Sequence, residues 1–388
     1  MARIDRRNLS VVPRVRRQPA AGKQPPGDHD NRRQHDRPVG RRQPEGVVGR
    51  GRSRYRAGRP AMAARAIGAL RRTILAVALV LCAACGATEK AEPAGTPAGP
   101  DAQPRVVASA VLSARMRDLT IASPALGREA SVRLLLPATY AAQPHRRWPV
   151  LYLLHGCCDT YESWTRSTDV EELTAGSDLL VVMPEGGRVG FYSDWDSGRP
   201  RWETFHLTEL RRILENDYRA SGVRAIGGLS MGGLGALTYT ARHPGLFRAA
   251  ASFSGIVHTR LSREKSEGYL RLLRSEGEEP RGLWGDPEKQ ADVWAAHNPY
   301  DLAPKLRGTP LFVSVGTGQP GPLDMPGTAF NDIESTLAAE NAALADRLRA
   351  LGIPARLDFY GPGTHDWPYW QRELHRAWPM FQQALGVR

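Results

Sequence analysis

Residues 228–232 (GLSMG) constrain the fold of this chain more than any other feature. Their spacing, G-x-S-x-G, is typical of a sharp turn between a buried strand and a helix, which lifts a serine hydroxyl clear of a parallel sheet. The run before Ser230 predicts the strand, and residues 233–243 predict the helix. The turn is expected to strain the serine backbone, and a Cβ at either flanking glycine is expected to collide with the neighbouring strand and helix. Ser230 is therefore the candidate nucleophile.

A serine in such a turn requires an acid and then a histidine further along the chain. The histidines after Ser230 are His243, His258, His297, His365 and His375. His243 ends the predicted helix and His375 lies in a helical pattern, so both are interpreted as surface or packing residues. His365 lies in a loop rich in glycine and proline, directly after a strand-like run. It is the candidate general base, and His258 is the next candidate.

An oxyanion hole is predicted at two backbone amides. Residues 149–154 form a continuous apolar run, as expected of a strand buried on both faces, and His155 and Gly156 follow it. The N–H of Cys157 then lies after an early strand, at the position from which such sites donate a backbone hydrogen bond to the oxyanion. The N–H of Met231 is the second predicted donor, because it opens the helix after Ser230 and gains from the helix dipole.

The order of elements predicts a single α/β domain over residues 108–388 with a doubly wound, mainly parallel sheet. The expected strands are an initial hairpin over 108–136, a strand ending at residue 154, and strands at 179–183, before Ser230, 247–253, 311–315 and 355–359. The expected helices are 170–173, 204–218, 233–243, 332–351 and 370–385. About 280 residues are enough to bury a sizeable core.

Six segments of the chain recur together in one family. They are residues 153–164 (LLHGCCDTYESW), 182–187 (VMPEGG), 191–195 (FYSDW), 202–205 (WETF), 228–232 and 363–370 (GTHDWPYW). In this order they resemble the esterase D group of α/β-hydrolases, most closely the secreted actinobacterial esterases related to the antigen 85 mycolyltransferases. The resemblance implies the α/β-hydrolase fold, Ser230 as nucleophile, His365 as base, and the amides of Cys157 and Met231 as oxyanion donors.

The acid of the triad has two candidates. A general α/β-hydrolase places it in the loop after the penultimate strand, which offers Asp324. The mycolyltransferase-like members use a glutamate near the start of the following helix, and matching that helix to the family indicates Glu334, with Asn341 seven residues later also agreeing. The resemblance favours Glu334, and Asp324 stays open as the alternative.

One position departs from the mycolyltransferases. They carry an aspartate before the oxyanion glycine, where this chain has His155, and the segment that follows is shorter here. Because those features help to hold a trehalose acceptor in the family, the departure argues against trehalose mycolylation. It leaves the acyl-transfer chemistry unaffected.

The positive charge of the chain is confined to its first residues. The formal net charge is +13, and residues 1–60 hold 17 of the 53 Lys and Arg but 5 of the 40 Asp and Glu. Residues 1–61 are poor in apolar side chains, which predicts a disordered segment. Because Tyr55 is its one aromatic residue, nucleic acid is not expected as a partner. We interpret this segment as an overlong gene start, with Met62 as the natural start.

Residues 62–85 have the layout of an export signal. A basic stretch precedes a short apolar run, 74–81, and the run is too short to span a bilayer. Residues 83–85 (AAC) resemble a lipobox, with Cys82 where leucine is usual, which would lipidate Cys85 and tether the chain to a membrane. A flexible linker is predicted over 86–107. A secreted or envelope-anchored location follows, and peptides from residues 1–61 in the exported protein would contradict the assigned start.

No cofactor or metal is expected. The pair Cys82 and Cys85 ends the apolar run of the export signal, and residues 316–321 (GTGQPG) are followed by prolines that cannot open a dinucleotide-binding helix. Adjacent cysteines rarely pair, so Cys157 and Cys158 are expected as two half-buried thiols. Residues 257–300 form an excursion in which residues 269–273 and Trp284 are expected either to line an acyl pocket or to form a small separate core.

These features predict a serine carboxylesterase that acts on a small-molecule or lipid ester through an acyl-enzyme. Two other functions stay open. One is an acyltransferase that moves an acyl group to an envelope glycan or lipid, and the other is a non-catalytic envelope-binding protein of the same fold. The sequence does not determine the acyl chain length, the natural substrate or the oligomeric state.

Overall fold

A computed structural model of the chain describes residues 103–388. The predicted basic segment 1–61, the predicted export signal 62–85 with Cys85, and the predicted linker up to residue 102 lie outside these described residues. Within residues 103–388, no helix is long and apolar enough to cross a membrane.

One sheet organises the described residues. Its strands are β1 (Arg105–Val111), β2 (Met116–Ser123), β3 (Arg128–Leu135), β4 (Trp148–Leu154), β5 (Leu180–Pro184), β6 (Ala220–Leu229), β7 (Ala250–Phe253), β8 (Leu311–Val315) and β9 (Arg356–Phe359). Their order across the sheet is β1-β2-β3-β5-β4-β6-β7-β8-β9. The pairs β1–β2, β2–β3 and β3–β5 are antiparallel, and all pairs from β5 to β9 are parallel. The predicted mainly parallel sheet is confirmed.

Helices cover both faces of this sheet. They are α1 (Ser163–Ser167), α2 (Val170–Leu173), α3 (Trp202–Thr204, Phe205–Leu210 and Arg211–Asp217 in continuous succession), α4 (Met231–Arg242), α5 (Arg263–Ser275), α6 (Pro280–Trp284), α7 (Ala291–Ala296), α8 (Pro299–Leu302), α9 (Asp332–Ala350) and α10 (Trp367–Leu385). Side chains of α3, α4 and α9 join the core on one face, and those of α1, α2 and α10 join the core on the other. The fold is therefore doubly wound.

Strand β4 illustrates why its sequence is continuously apolar. Val150 and Tyr152 belong to the core on one face of the sheet, whereas Leu151 and Leu153 belong to the core on the other. Successive side chains of a strand point to opposite faces, so a strand covered on both sides needs apolar residues at every position.

The start of the domain differs from the sequence prediction. The expected hairpin over 108–136 is a three-stranded meander, and β1 begins at Arg105, inside the segment predicted as linker. Arg105 pairs with Ala122 of β2. The strand was missed because it lies at the sheet edge with almost all of its residues exposed, so it carries no buried apolar pattern.

Two helices also differ in detail. The predicted helix 204–218 contains a π-helical stretch, Phe205–Leu210, between two α-helical parts. The last helix begins at Trp367, three residues earlier than expected. Asp366, the residue before the helix, accepts a hydrogen bond from the Trp367 N–H at 2.7 Å, and Pro368 in the first turn suits a helix start there.

The sheet order positions the site. Strands β4, β6, β7, β8 and β9 are neighbours and run parallel. Their carboxyl ends therefore meet at one edge, and the loops that follow them are brought together there.

Candidate active site

Ser230 occupies the strained turn that the sequence predicts. Its backbone angles are φ 53° and ψ −120°, between the end of β6 and the start of α4. A Cβ at Gly228 would overlap the carbonyl group of Gly232, and a Cβ at Gly232 would overlap the carbonyl oxygen of Leu154. Both flanking glycines are thus required by close backbone approach, as expected.

The turn is held by backbone hydrogen bonds. The Ser230 N–H donates to the Phe253 carbonyl at 2.9 Å, and the Ser230 carbonyl accepts from the Ile256 N–H at 3.1 Å. The end of β7 and the loop after it therefore hold the turn that carries Ser230.

The loop after β4 is oriented by a buried histidine. The Gly186 N–H donates to His155 Nε2 at 2.8 Å, so His155 Nδ1 carries the proton and donates to the Gly156 carbonyl at 2.8 Å. In a trans peptide the N–H of the next residue points opposite to that carbonyl. The Cys157 N–H is therefore turned away from His155, and Cys157 lines the same cleft as Ser230.

Cys157 and Cys158 are joined by a disulfide bond. The expectation of two free thiols is therefore wrong. The two cysteines are the central residues of a turn in which the Asp159 N–H donates to the Gly156 carbonyl at 3.4 Å. The Cys158 carbonyl accepts from Arg188 Nη1 at 3.1 Å, which ties the loop to the segment after β5.

His365 and Glu334 are in direct contact. His365 Nδ1 lies 2.7 Å from Glu334 Oε2, and the Glu334 side chain is fully buried. The other carboxylate oxygen, Glu334 Oε1, accepts from the Gly316 N–H at 2.6 Å, from Ser254 Oγ at 2.7 Å and from the Tyr360 hydroxyl at 3.1 Å. Such a set of donors holds a buried carboxylate in one orientation.

Glu334 is positioned by the start of α9. Asn331 precedes the helix and accepts the Glu334 N–H at 2.8 Å with its side chain. Burial, and next the negative charge of Glu334, raise the pKa of Tyr360. The Tyr360 hydroxyl therefore stays protonated and remains a donor to the carboxylate.

Asp324 makes no hydrogen bond to His365 among the described residues. One of its oxygens accepts from the Thr364 hydroxyl, and the other accepts from the Gly321 N–H and from the Tyr369 hydroxyl, both at 2.7 Å. Burial acts to raise the pKa of Asp324, but these hydrogen bonds outweigh it and the pKa is lowered. Asp324 thus braces the loop that carries His365.

Ser230 and His365 line one cleft without a hydrogen bond between them in the described residues. Such bonds are often long in a free enzyme and shorten when substrate binds. The Trp370 ring packs edge-on against the His365 ring with centroids 4.8 Å apart, and its Nε1 donates to Ser254 Oγ at 3.2 Å. Trp370 does not line the cleft, so it supports the imidazole of His365 from the side opposite the cleft.

The cleft has a volume of about 440 Å³ and opens between α5 and α9. Its apolar wall comes from Ile256, Tyr269, Leu272, Ile333 and Leu337, and its charged rim from Glu264, Lys265, Arg271 and Asp332. The excursion 257–300 therefore contributes to the cleft through α5. Trp284 does not line it, because it is fully buried against Phe191 and Trp294. The expected small separate core is wrong, because Trp284 packs into the main core on one face of the sheet.

A second buried carboxylate supports the cleft wall. Glu340 Oε1 accepts from the Tyr269 hydroxyl at 2.5 Å, and Oε2 accepts from the backbone N–H groups of Val257 and His258, each at 3.1 Å. Burial raises the pKa of Glu340 to about 7, although these hydrogen bonds act in the opposite direction. Glu340 joins α9 to α5 and to the loop after β7.

The raised pKa predicts a pH-dependent stability. Between pH 4.5, the ordinary pKa of a glutamate, and about pH 7, Glu340 keeps in the folded protein a proton that it releases in the unfolded chain. The free energy of unfolding should therefore fall as the pH rises through this window. Thermal unfolding of Glu340→Gln is expected to depend less on pH there than that of the wild type. Exposed Glu129→Gln is the control, and parallel curves for wild type and Glu340→Gln would refute the assignment.

Several residues of this site were not identified from the sequence. Ser254 follows β7, Gly316 follows β8 and Tyr360 follows β9, and all three contact Glu334. The available signal was their position at the carboxyl ends of neighbouring parallel strands. Among residues 103–388, no three His, Cys, Asp or Glu side chains are grouped so as to hold a metal ion.

The family model named Esterase matches residues 123–381. The chain belongs to this esterase family. The diacylglycerol acyltransferase/mycolyltransferase Ag85B of Mycolicibacterium smegmatis is 33% identical in an alignment of 293 positions that covers 69% of this chain and 85% of the relative. Ag85A of Mycobacterium leprae is 31% identical over 69% of this chain and 83% of the relative.

A solved structure of a similar protein has the same fold. The crystal structure of MPT51 of Mycobacterium tuberculosis aligns with a TM-score of 0.59 and 25% identity, over 69% of this chain and 97% of that chain. The resemblance to the esterase D group related to the antigen 85 proteins, and the α/β-hydrolase fold, are thus confirmed. Membership of this family and similarity to acyltransferases support an enzyme that acts on esters.

Proposed function

We propose that the protein is a serine carboxylesterase that forms an acyl-enzyme at Ser230. The contact of 2.7 Å between His365 Nδ1 and the buried Glu334 carboxylate carries the proposal. With Nδ1 engaged, Nε2 is the imidazole nitrogen left to face the cleft that Ser230 also lines.

In the first half of the reaction, Ser230 Oγ attacks the ester carbonyl carbon while His365 Nε2 takes the hydroxyl proton. The carbonyl oxygen becomes an oxyanion and accepts hydrogen bonds from the N–H groups of Cys157 and Met231. The intermediate then collapses, the bond from carbon to the alcohol oxygen breaks, and the proton on His365 passes to the departing alcohol.

In the second half, water attacks the acyl-serine as His365 takes one of its protons, and the carboxylic acid leaves as Ser230 regains its hydrogen. Glu334 stabilises the charged imidazolium in both halves, since its carboxylate is buried and cannot turn away. The donors from Gly316, Ser254 and Tyr360 support that orientation.

An acyltransferase is the second candidate, because the curated relatives include proteins named diacylglycerol acyltransferase/mycolyltransferase. In that reaction an alcohol replaces water in the second half. The resemblance to the mycolyltransferases implies an aspartate where this chain has His155, and this departure favours hydrolysis over transfer to trehalose.

A panel of p-nitrophenyl esters from short to long acyl chains, with and without sugar and glycerolipid acceptors, tests the proposal. Hydrolysis that acceptors do not accelerate is expected. An acyl product on an acceptor, with faster release of p-nitrophenol, would establish the transferase instead. If the wild-type protein hydrolyses none of the esters and is not labelled by a fluorophosphonate, the remaining function is that of a non-catalytic envelope-binding protein.

The acid of the triad is tested by a matched pair of variants. Glu334→Gln is expected to lower kcat by about 10²–10⁴-fold, since the neutral amide neither compensates the imidazolium nor keeps its tautomer. Asp324→Asn is expected to lose less than about tenfold, because it disturbs only the bracing of the His365 loop. Steady-state kinetics, with circular dichroism as the control for folding, measure both. The reverse order of losses would assign the role to Asp324.

A further inference from the structure

The segment between β8 and α9 is almost free of charge. From Gly316 to Asn331 the one ionisable side chain is Asp324. Its carboxylate is turned inward onto Thr364, Gly321 and Tyr369. The outer surface of this segment therefore presents no charge of its own.

Large apolar side chains on this segment point into solvent. Leu323 is 40% exposed, Met325 78% and Phe330 45%, and Ile333 at the start of α9 is 60% exposed. These four side chains lie within eleven consecutive residues, and several exposed apolar side chains close together mark an interaction site more often than single ones do.

The segment is held in place by its backbone. The Asn331 N–H donates to the Gly318 carbonyl at 2.8 Å, and the Gly363 N–H donates to the Gln319 carbonyl at 2.6 Å. With Asp324 bonded to Thr364, the start and the middle of the segment are anchored against the loop of His365, and its end at Asn331 is anchored to its own start. The exposed side chains are thus presented by a fixed loop.

The exposed surface continues into the cleft. Ile333 lines the cleft with Ser230 and His365, and it is exposed at the mouth. An occupant of this surface lies beside the entrance that the ester must use. The segment offers no cation to attract an anionic surface, and the two bases on the cleft rim, Lys265 and Arg271, are matched there by the two acids Glu264 and Asp332. An aggregate of the substrate itself, with apolar chains and uncharged groups at its surface, fits an uncharged apolar surface beside the cleft entrance.

We propose that residues 323–333 form an interfacial surface on which the enzyme docks to a neutral lipid aggregate, so that the ester enters the cleft from the lipid phase. We name the exposed side chains Leu323, Met325, Phe330 and Ile333 the docking loop. The inference rests on the proposed function for its reaction, whereas docking itself is independent of catalysis.

The test compares Met325→Gln/Phe330→Gln with a control, Val111→Gln/Leu112→Gln, whose side chains are 69% and 51% exposed on and just after β1 at the opposite end of the sheet. Wild type and control are expected to bind phosphatidylcholine vesicles in flotation. The docking-loop variant should bind at least about tenfold more weakly, because burying one large apolar side chain corresponds to at least a tenfold change in a binding constant.

Activity gives the second readout. On a tributyrin emulsion the docking-loop variant should lose about tenfold, while its kcat/KM on monomeric p-nitrophenyl butyrate stays within about twofold of wild type. Equal losses of activity on both substrates would overturn the proposal. A wild-type protein that binds phosphatidylglycerol vesicles but not phosphatidylcholine vesicles would overturn it as well. A change of mass in sedimentation without a change in vesicle binding would assign the surface to a second copy. Vesicle binding by a wild type inactive on both esters would contradict the proposed function and leave docking supported.

Discussion

Ser230→Ala is expected to lower kcat on p-nitrophenyl butyrate by about 10⁴-fold or more. The proposed reaction has no second nucleophile, and the remaining oxyanion donors and cleft bind the ester without forming the acyl-enzyme. Loss of the hydroxyl should leave the fold intact, since the backbone N–H and carbonyl of Ser230 make the bonds that hold the turn. Single-turnover and steady-state kinetics measure the effect.

A fluorophosphonate provides an independent readout. Mass mapping should find it on Ser230 in the wild type and on no residue in Ser230→Ala. Ser275→Ala, at an exposed serine on α5, is the control and should keep both activity and labelling. Near-normal turnover of Ser230→Ala would rule out the proposed site.

His365→Gln is expected to have a loss as large as that of Ser230→Ala, because nucleophile and base act as one unit. The wild-type kcat/KM should fall on acidification, since a protonated imidazole cannot accept the serine proton. The variant should lose this acid limb together with most of its rate.

The control for His365→Gln is His375→Gln, which removes an exposed histidine bonded to Asp169 at 2.9 Å. It should keep the wild-type pH profile. An acid limb that persists in His365→Gln would point to another histidine. His258 is the next candidate by sequence, although its ring stacks on Tyr300 with centroids 3.9 Å apart and it does not line the cleft.

The sequence by itself determined the architecture and the serine turn. Strand and helix periodicities differ, so apolar runs such as that of β4 and the glycines around Ser230 predict a parallel sheet and its turn from local pattern. Edge strand β1 was missed for the same reason, since its exposed residues carry no such pattern.

Contacts between segments distant in sequence were decided by the tertiary structure. Glu334 and Asp324 were both acceptable by position, and only the packing of α9 against the loop after β9 brings Glu334, not Asp324, to His365. The donors around Glu334 come from the ends of three strands. A local pattern reports what one segment prefers, whereas these contacts follow from how the sheet arranges the segments beside one another.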